Sequence, residues 1–118
     1  MISVLAALLA LSQPATHLAI EPWHGPDLPT ATHANEKYEL TVSAAPNTTV
    51  HLRATGVAKG WIAAFCNTHV CSPESVEQSI PQSGHAKLQF ELIREDPTAA
   101  SSTRATIVTD DGSAISVP

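Results

Sequence analysis

From residue 16 onward the chain repeats apolar and polar positions with a period of two, and no stretch shows a helical period. Tyr38, Leu40, Val42 and Ala44 alternate with Lys37, Glu39, Thr41 and Ser43. Val50, Leu52 and Ala54 alternate in the same way with Thr49, His51, Arg53 and Thr55, and Ala86, Leu88, Phe90 and Leu92 with Lys87, Gln89 and Glu91. Each run describes a strand with one face toward a core. Trp61-Ile62-Ala63-Ala64-Phe65-Cys66 is apolar on both faces, which predicts an interior strand. Shorter strands are expected over 17–21, 75–80, around Ala105 and Ile107, and around Ile115 and Val117. Turn residues separate them: Pro46-Asn47, Gly56 to Gly60, Pro81-Gln82-Ser83-Gly84, Glu95-Asp96-Pro97 and Asp110-Asp111-Gly112. The segment from Trp23 to Asn35 is a connector rich in proline and glycine.

Seven or eight short strands so spaced predict an all-β fold, an antiparallel Ig-like β-sandwich of about seven strands, with a closed barrel as the structural alternative. Leu40, Val42, Leu52, Trp61, Leu88, Phe90, Ile107 and Ile115 should meet in one core, with Phe65 beside Trp61. The chain carries only five aromatic side chains, so Trp23, Tyr38, Trp61, Phe65 and Phe90 should supply much of that core. The last hairpin should use a three-residue loop, Asp110-Asp111-Gly112, with Gly112 at positive φ. That loop sets Ile107 opposite Ile115 and Ala105 opposite Val117, on one apolar face. A two-residue loop would slip the register and exchange the faces.

Val4 to Leu11 is a compact apolar run too short to cross a bilayer, which needs about 20 residues. It fits the apolar region of a secretory signal over residues 1–12, leaving 13–118 as one sandwich domain. The preceding Met1-Ile2-Ser3 lacks the usual Lys or Arg, so a short N-terminal helix or a truncated signal is the competing reading. The rest of the chain contains no further apolar stretch of spanning length. A net charge of −5, from 6 basic and 11 acidic residues with no basic run, argues against phosphate recognition and hence nucleic acid.

Export gives the two cysteines a simple role. In an oxidising compartment Cys66 and Cys71 should form one bridge, closing a small loop at a hairpin or corner. Redox catalysis favours a C-x-x-C pair at a helix start. Here the spacing is C-x4-C and the flanks read as strand.

Gly60-Trp61, the Ile-Ala-Ala-Phe-Cys segment after it, Cys71, a turn ending in Gly84 and the alternating Leu88 to Leu92 strand lie in an order that resembles secreted bacterial Ig-like domains. In those domains a Gly-Trp pair opens a core strand, and a subset carries two cysteines just after the tryptophan. The resemblance covers Tyr38 to Val117. It implies adhesion, spacing or protein contact, with no catalytic residues to carry over.

Six histidines (His17, His24, His33, His51, His69 and His85) raise the question of metal. No two are spaced as a ligand pair along one strand, and the only methionine is Met1, which removes the usual axial ligand of a blue-copper centre. His69, between the cysteines, is the best single candidate. The chain also lacks a Gly-x-Ser-x-Gly turn and a His-Glu-x-x-His helix. Glu95-Asp96 and Asp110-Asp111 read as solvated loop and turn, and Asn47-Thr48-Thr49, a glycosylation sequon in eukaryotic secretion, reads otherwise as a turn. The residues therefore assign no metal, cofactor or catalytic site. They point to a secreted or periplasmic, non-catalytic, monomeric module that binds a protein or glycan. Its partner surface should include the Cys66–Cys71 loop and the Trp23–His33 connector. The alternative is a small periplasmic protein that binds copper or zinc.

Overall fold

A computed structural model describes residues 16–26, 28 and 36–118. The expected signal segment over 1–12, and His33, lie outside them. Nine strands follow one another: β1 His17–Pro22, β2 Glu36–Ser43, β3 Thr49–Thr55, β4 Trp61–Cys66, β5 Cys71–Pro73, β6 Ser75–Ser79, β7 His85–Arg94, β8 Thr106–Thr109 and β9 Ala114–Ser116. They form two antiparallel sheets, one ordered β1-β2-β7-β4-β5 and the other β6-β3-β8-β9. The sandwich expected from the alternation is the fold observed. The added strand is β5, whose Cys-Ser-Pro sequence has no alternation to announce it.

Each sheet turns its alternate apolar positions inward. Tyr38, Leu40 and Val42 of β2 lie beside Phe90, Leu88 and Ala86 of β7, and Phe65 and Ala63 of β4 flank Phe90 and Leu92 on the other side. Phe90 sits 5.0 Å from Phe65 and 6.5 Å from Tyr38 between ring centroids, both tilted pairs. From the opposite sheet Val50, Leu52 and Ile107 close the core. Two expectations fail in part. Ile115 is only half-buried, because β9 is a three-residue edge strand. Trp23 stays outside the core, half-buried in the connector, where its Nε1–H donates to the Pro26 carbonyl at 3.3 Å.

The Gly60-Trp61 pair fixes one end of the sandwich. Gly60 has φ +86°, and a Cβ there would lie 2.6 Å from the Ala99 Cβ, so only glycine lets the loop after β7 pass so close. Its carbonyl accepts the N–H groups of Glu95 and Asp96 at 2.9 and 3.1 Å. Trp61 is buried, and its Nε1–H donates to the Ala100 carbonyl at 2.7 Å. Arg94 donates to the carbonyls of Pro97 and Ala99. Asp96, expected to be merely solvated, accepts from the Thr98 N–H and hydroxyl, which holds its carboxyl below the usual carboxylate range.

At the other end the β8–β9 hairpin adopts the three-residue loop. Ile107 pairs with Ile115, Val117 N donates to Ala105 O at 2.9 Å, and Gly112 has φ +88°. Between β5 and β6 the chain changes sheets at a single residue. Glu74, at φ 68°, donates its N–H to Ala63 of one sheet and offers its carbonyl to Ala54 of the other, both at 2.9 Å.

Trp61→Ala should cost about 3–5 kcal/mol, as for other large-to-small core changes. Trp61→Phe keeps most of the buried surface but strands the Ala100 carbonyl, and should cost about 1–2 kcal/mol. Equilibrium urea unfolding of both variants checks the order.

Candidate interaction face and disulfide hairpin

The outward face of the five-stranded sheet is built from the residues that alternate with the core. The register sets them in rows across the strands. One row runs Glu21, Glu39, Gln89, Cys66, Cys71; the next runs Lys37, Glu91, Ala64, Pro73. Positions of this kind are ordinarily wet, yet Gln89 and Glu91 are completely buried. Gln89 Oε1 accepts the backbone N–H of Leu28 at 3.3 Å, and its Nε2 donates to Glu91 Oε1 at 3.3 Å. Leu28 belongs to the proline-rich connector, and that residue therefore lies against this face of the sheet. Glu91 faces Lys37 across the β2–β7 ladder, an opposite-charge arrangement that a buried carboxylate requires.

Cys66 and Cys71 are bonded to each other, and they are also directly paired across β4 and β5. The bridge thus closes a hairpin at its last pair. Asn67 shapes the tip: its Oδ1 accepts the N–H groups of His69 and Val70 at 2.8 and 2.9 Å, and its own N–H donates to Val70 O at 2.9 Å. Val70 is 47% exposed and is the exposed large hydrophobic residue among those described. Cys66 is buried beside Gln89. The disulfide loop leaves the sheet at the strand ends, as expected, while Leu28 of the connector bonds Gln89, the register partner of Cys66, on the sheet face. A disulfide of this kind is consistent with an oxidising compartment outside the cytoplasm.

The outward face continues toward the hairpin end. Lys87 Nζ lies 3.1 Å from Glu39 Oε1. Hydrogen bonding with Glu21, and then with Lys87, holds the Glu39 carboxyl below its ordinary range. His17, Ser43 and His85 share the last row, and His85 Nδ1 lies 2.8 Å from Ser43 Oγ. His51 is on the opposite sheet, 3.5 Å from Glu77, while His24 and His69 are exposed. Among the described residues no group of three or more His, Cys, Asp or Glu side chains is placed to hold a metal ion. Asp111, expected to be a turn residue, is a clasp. It accepts from Thr109 Oγ1, from Ser113 N at 3.0 Å and from Thr16 N at 2.7 Å, so the start of β1 is tied to the last hairpin. The Thr109 bond, and then that from Thr16, holds its carboxyl far below the usual carboxylate range.

Sequence reasoning placed Trp61, Phe65, Leu88 and Phe90, all of them buried, and the disulfide. It missed Gln89 and Glu91 because alternation assigns them to solvent. The available signal was Lys37, the register partner of Glu91, together with a connector long enough to cover a face. No protein-family model, curated protein or solved structure matches the chain.

Two measurements test this description. Cys66→Ser with Cys71→Ser should leave a folded protein destabilised by about 2 kcal/mol, the value for a short closed loop, with faster amide exchange confined to residues 67–70. A carboxyl whose folded-state pKa is depressed stabilises above its unfolded pKa and loses that contribution as pH falls through the folded value. The Thr16 clasp should therefore persist after ordinary carboxylates have protonated. Asp111→Asn should weaken it already at neutral pH, read as faster exchange at Thr16 and Leu18 and a flatter acid limb of stability.

Proposed function

We propose that the chain is a non-catalytic Ig-like module of the bacterial cell envelope or exterior, binding a protein or glycan through the disulfide hairpin and the Trp23–His33 connector. The observation that carries this reading is the hairpin tip. A cross-strand disulfide and the Asn67 turn hold Val70 outward with little conformational freedom left to lose, which is how a preorganised contact gains affinity. The strand order supports the Ig-like assignment. Sheets ordered β1-β2-β7-β4 and β3-β8-β9 correspond in chain order to the A-B-E-D and C-F-G strands of a constant-type immunoglobulin domain, with β5 and β6 inserted between D and E.

A second reading, a small periplasmic copper or zinc protein, is favoured by one observation. His17 and His85 flank Ser43 on adjacent strands, about 10 Å apart across two strand spacings.

A photo-crosslinking residue placed at Val70 in the intact chain, in its own cells, should yield a discrete protein or glycan adduct that is absent when the probe sits at Ser101. Adducts at both positions or at neither would overturn the interaction reading. Calorimetric titration with Cu(II) and Zn(II) separates the second reading: stoichiometric binding abolished by His85→Ala would support it, and absence of heat would remove it.

A further inference from the structure

β6 pairs on one side only, with β3, and forms the outer strand of its sheet. At its two ends Glu74 O accepts from Ala54 N and Ile80 N donates to Thr48 O. The even-numbered positions therefore face β3. Because hydrogen-bonding direction alternates along an antiparallel strand, the main-chain groups of Ser75, Glu77 and Ser79 point away from the sheet. All three residues are exposed. The other edges are blunted: β5 and β9 have three residues each, β5 ends in Pro73, and β1 ends in Pro22. On β6, Gln78 shares the inward side with Val76. Its Oε1 is buried without a hydrogen-bond partner, while its Nε2 covers the outward Ser79 carbonyl at 2.9 Å.

We propose that β6 is a homotypic edge, at which two copies of this chain pair antiparallel in the register centred on Gln78. The two Gln78 residues then form a non-hydrogen-bonded pair, where side chains of facing strands lie closest. Each amide donates to the other's Oε1, which removes the buried orphan acceptor, and each Ser79 carbonyl is released to the ladder. Glu77 lies opposite Ser79 of the second copy, in a hydrogen-bonded pair, and Val76 lies opposite Ile80. Neighbouring registers are worse. Centring on Glu77 sets two carboxylates face to face. Centring on Val76 brings Gln78 opposite Glu74, which leaves the strand at φ 68° and whose N–H and C=O already bond Ala63 and Ala54. Exposed Val70 adds apolar surface to the same margin, since β5, which it immediately precedes, is the outer strand of the other sheet and runs into β6 through Glu74. The pairing joins two four-stranded sheets into one of eight, and it departs from the monomer expected from sequence.

Sedimentation equilibrium of the full chain, from micromolar to submillimolar concentration, should show reversible dimerisation. Ser79→Pro removes an outward N–H and no ladder bond within the chain. It should weaken the dimer by roughly tenfold or more while leaving the thermal midpoint unchanged at dilutions where both proteins are monomeric. Under mild oxidation Gln78→Cys should cross-link two chains, and Glu77→Cys should not. A wild-type protein that stays monomeric, a Ser79→Pro protein that dimerises equally well, or cross-linking through Glu77→Cys in place of Gln78→Cys would overturn the proposal. If Ser79→Pro fails to fold, the comparison of the two cysteine variants decides alone.

Discussion

The middle of strand β7, Leu88 to Leu92, is dry on both faces, and most of the architecture follows from that constraint. The strand's inward residues Ala86, Leu88, Phe90 and Leu92 fill the space between the sheets, which any sandwich strand would do. Lys87 and His85 further along the outward face are exposed, whereas in that middle stretch the outward residues Gln89 and Glu91 are equally removed from water. A carboxylate in that position is tolerable only with charge and hydrogen-bond compensation. Lys37 across the ladder and the Gln89 amide supply it, and the Leu28 N–H bonds the Gln89 side chain from above the sheet. The patch of polar face around Gln89 and Glu91 is thus an interior surface, and the disulfide hairpin lies at its rim.

The Gly60-Trp61 pair solves the complementary problem at the end of the sandwich. A long loop follows β7, and its carbonyls and amides need partners. Gly60 lets that loop approach within the space a side chain would take, and the indole and Arg94 then bond its carbonyls. A dipeptide that looks like an ordinary core marker is therefore also the mould for a loop distant in sequence.

Much of this was legible from alternation alone. The strands with clean period-two patterns, β2, β3 and β7, lie where the pattern puts them, and the register of the last hairpin followed from matching Ile107 to Ile115. Hydrophobic faces are a local signal, so local reasoning recovers them. What escaped was non-local. β5 forms because Cys71 is held to Cys66, and its three residues carry no pattern of their own. Trp23 looked like core by composition, but its indole bonds the Pro26 carbonyl, and Leu28 further on is held by Gln89. Glu91 and Asp111 sit at positions that read as solvated, and their roles arise from partners 54 and 95 residues away, Lys37 and Thr16.

The two lateral margins of the sandwich are joined differently. On one side the chain itself crosses between the sheets at Glu74, whose N–H and C=O each bond a different sheet. On the other, the sheets are held where β1 meets the last hairpin, by Asp111 and Ser113 gripping Thr16. One margin is a covalent spine, and the other is a clasp of a few polar contacts. Under tension or partial unfolding, such a molecule opens like a book. The core would first meet water along the β1–β9 seam, while the β5–β6 spine keeps the two sheets in register for closing again.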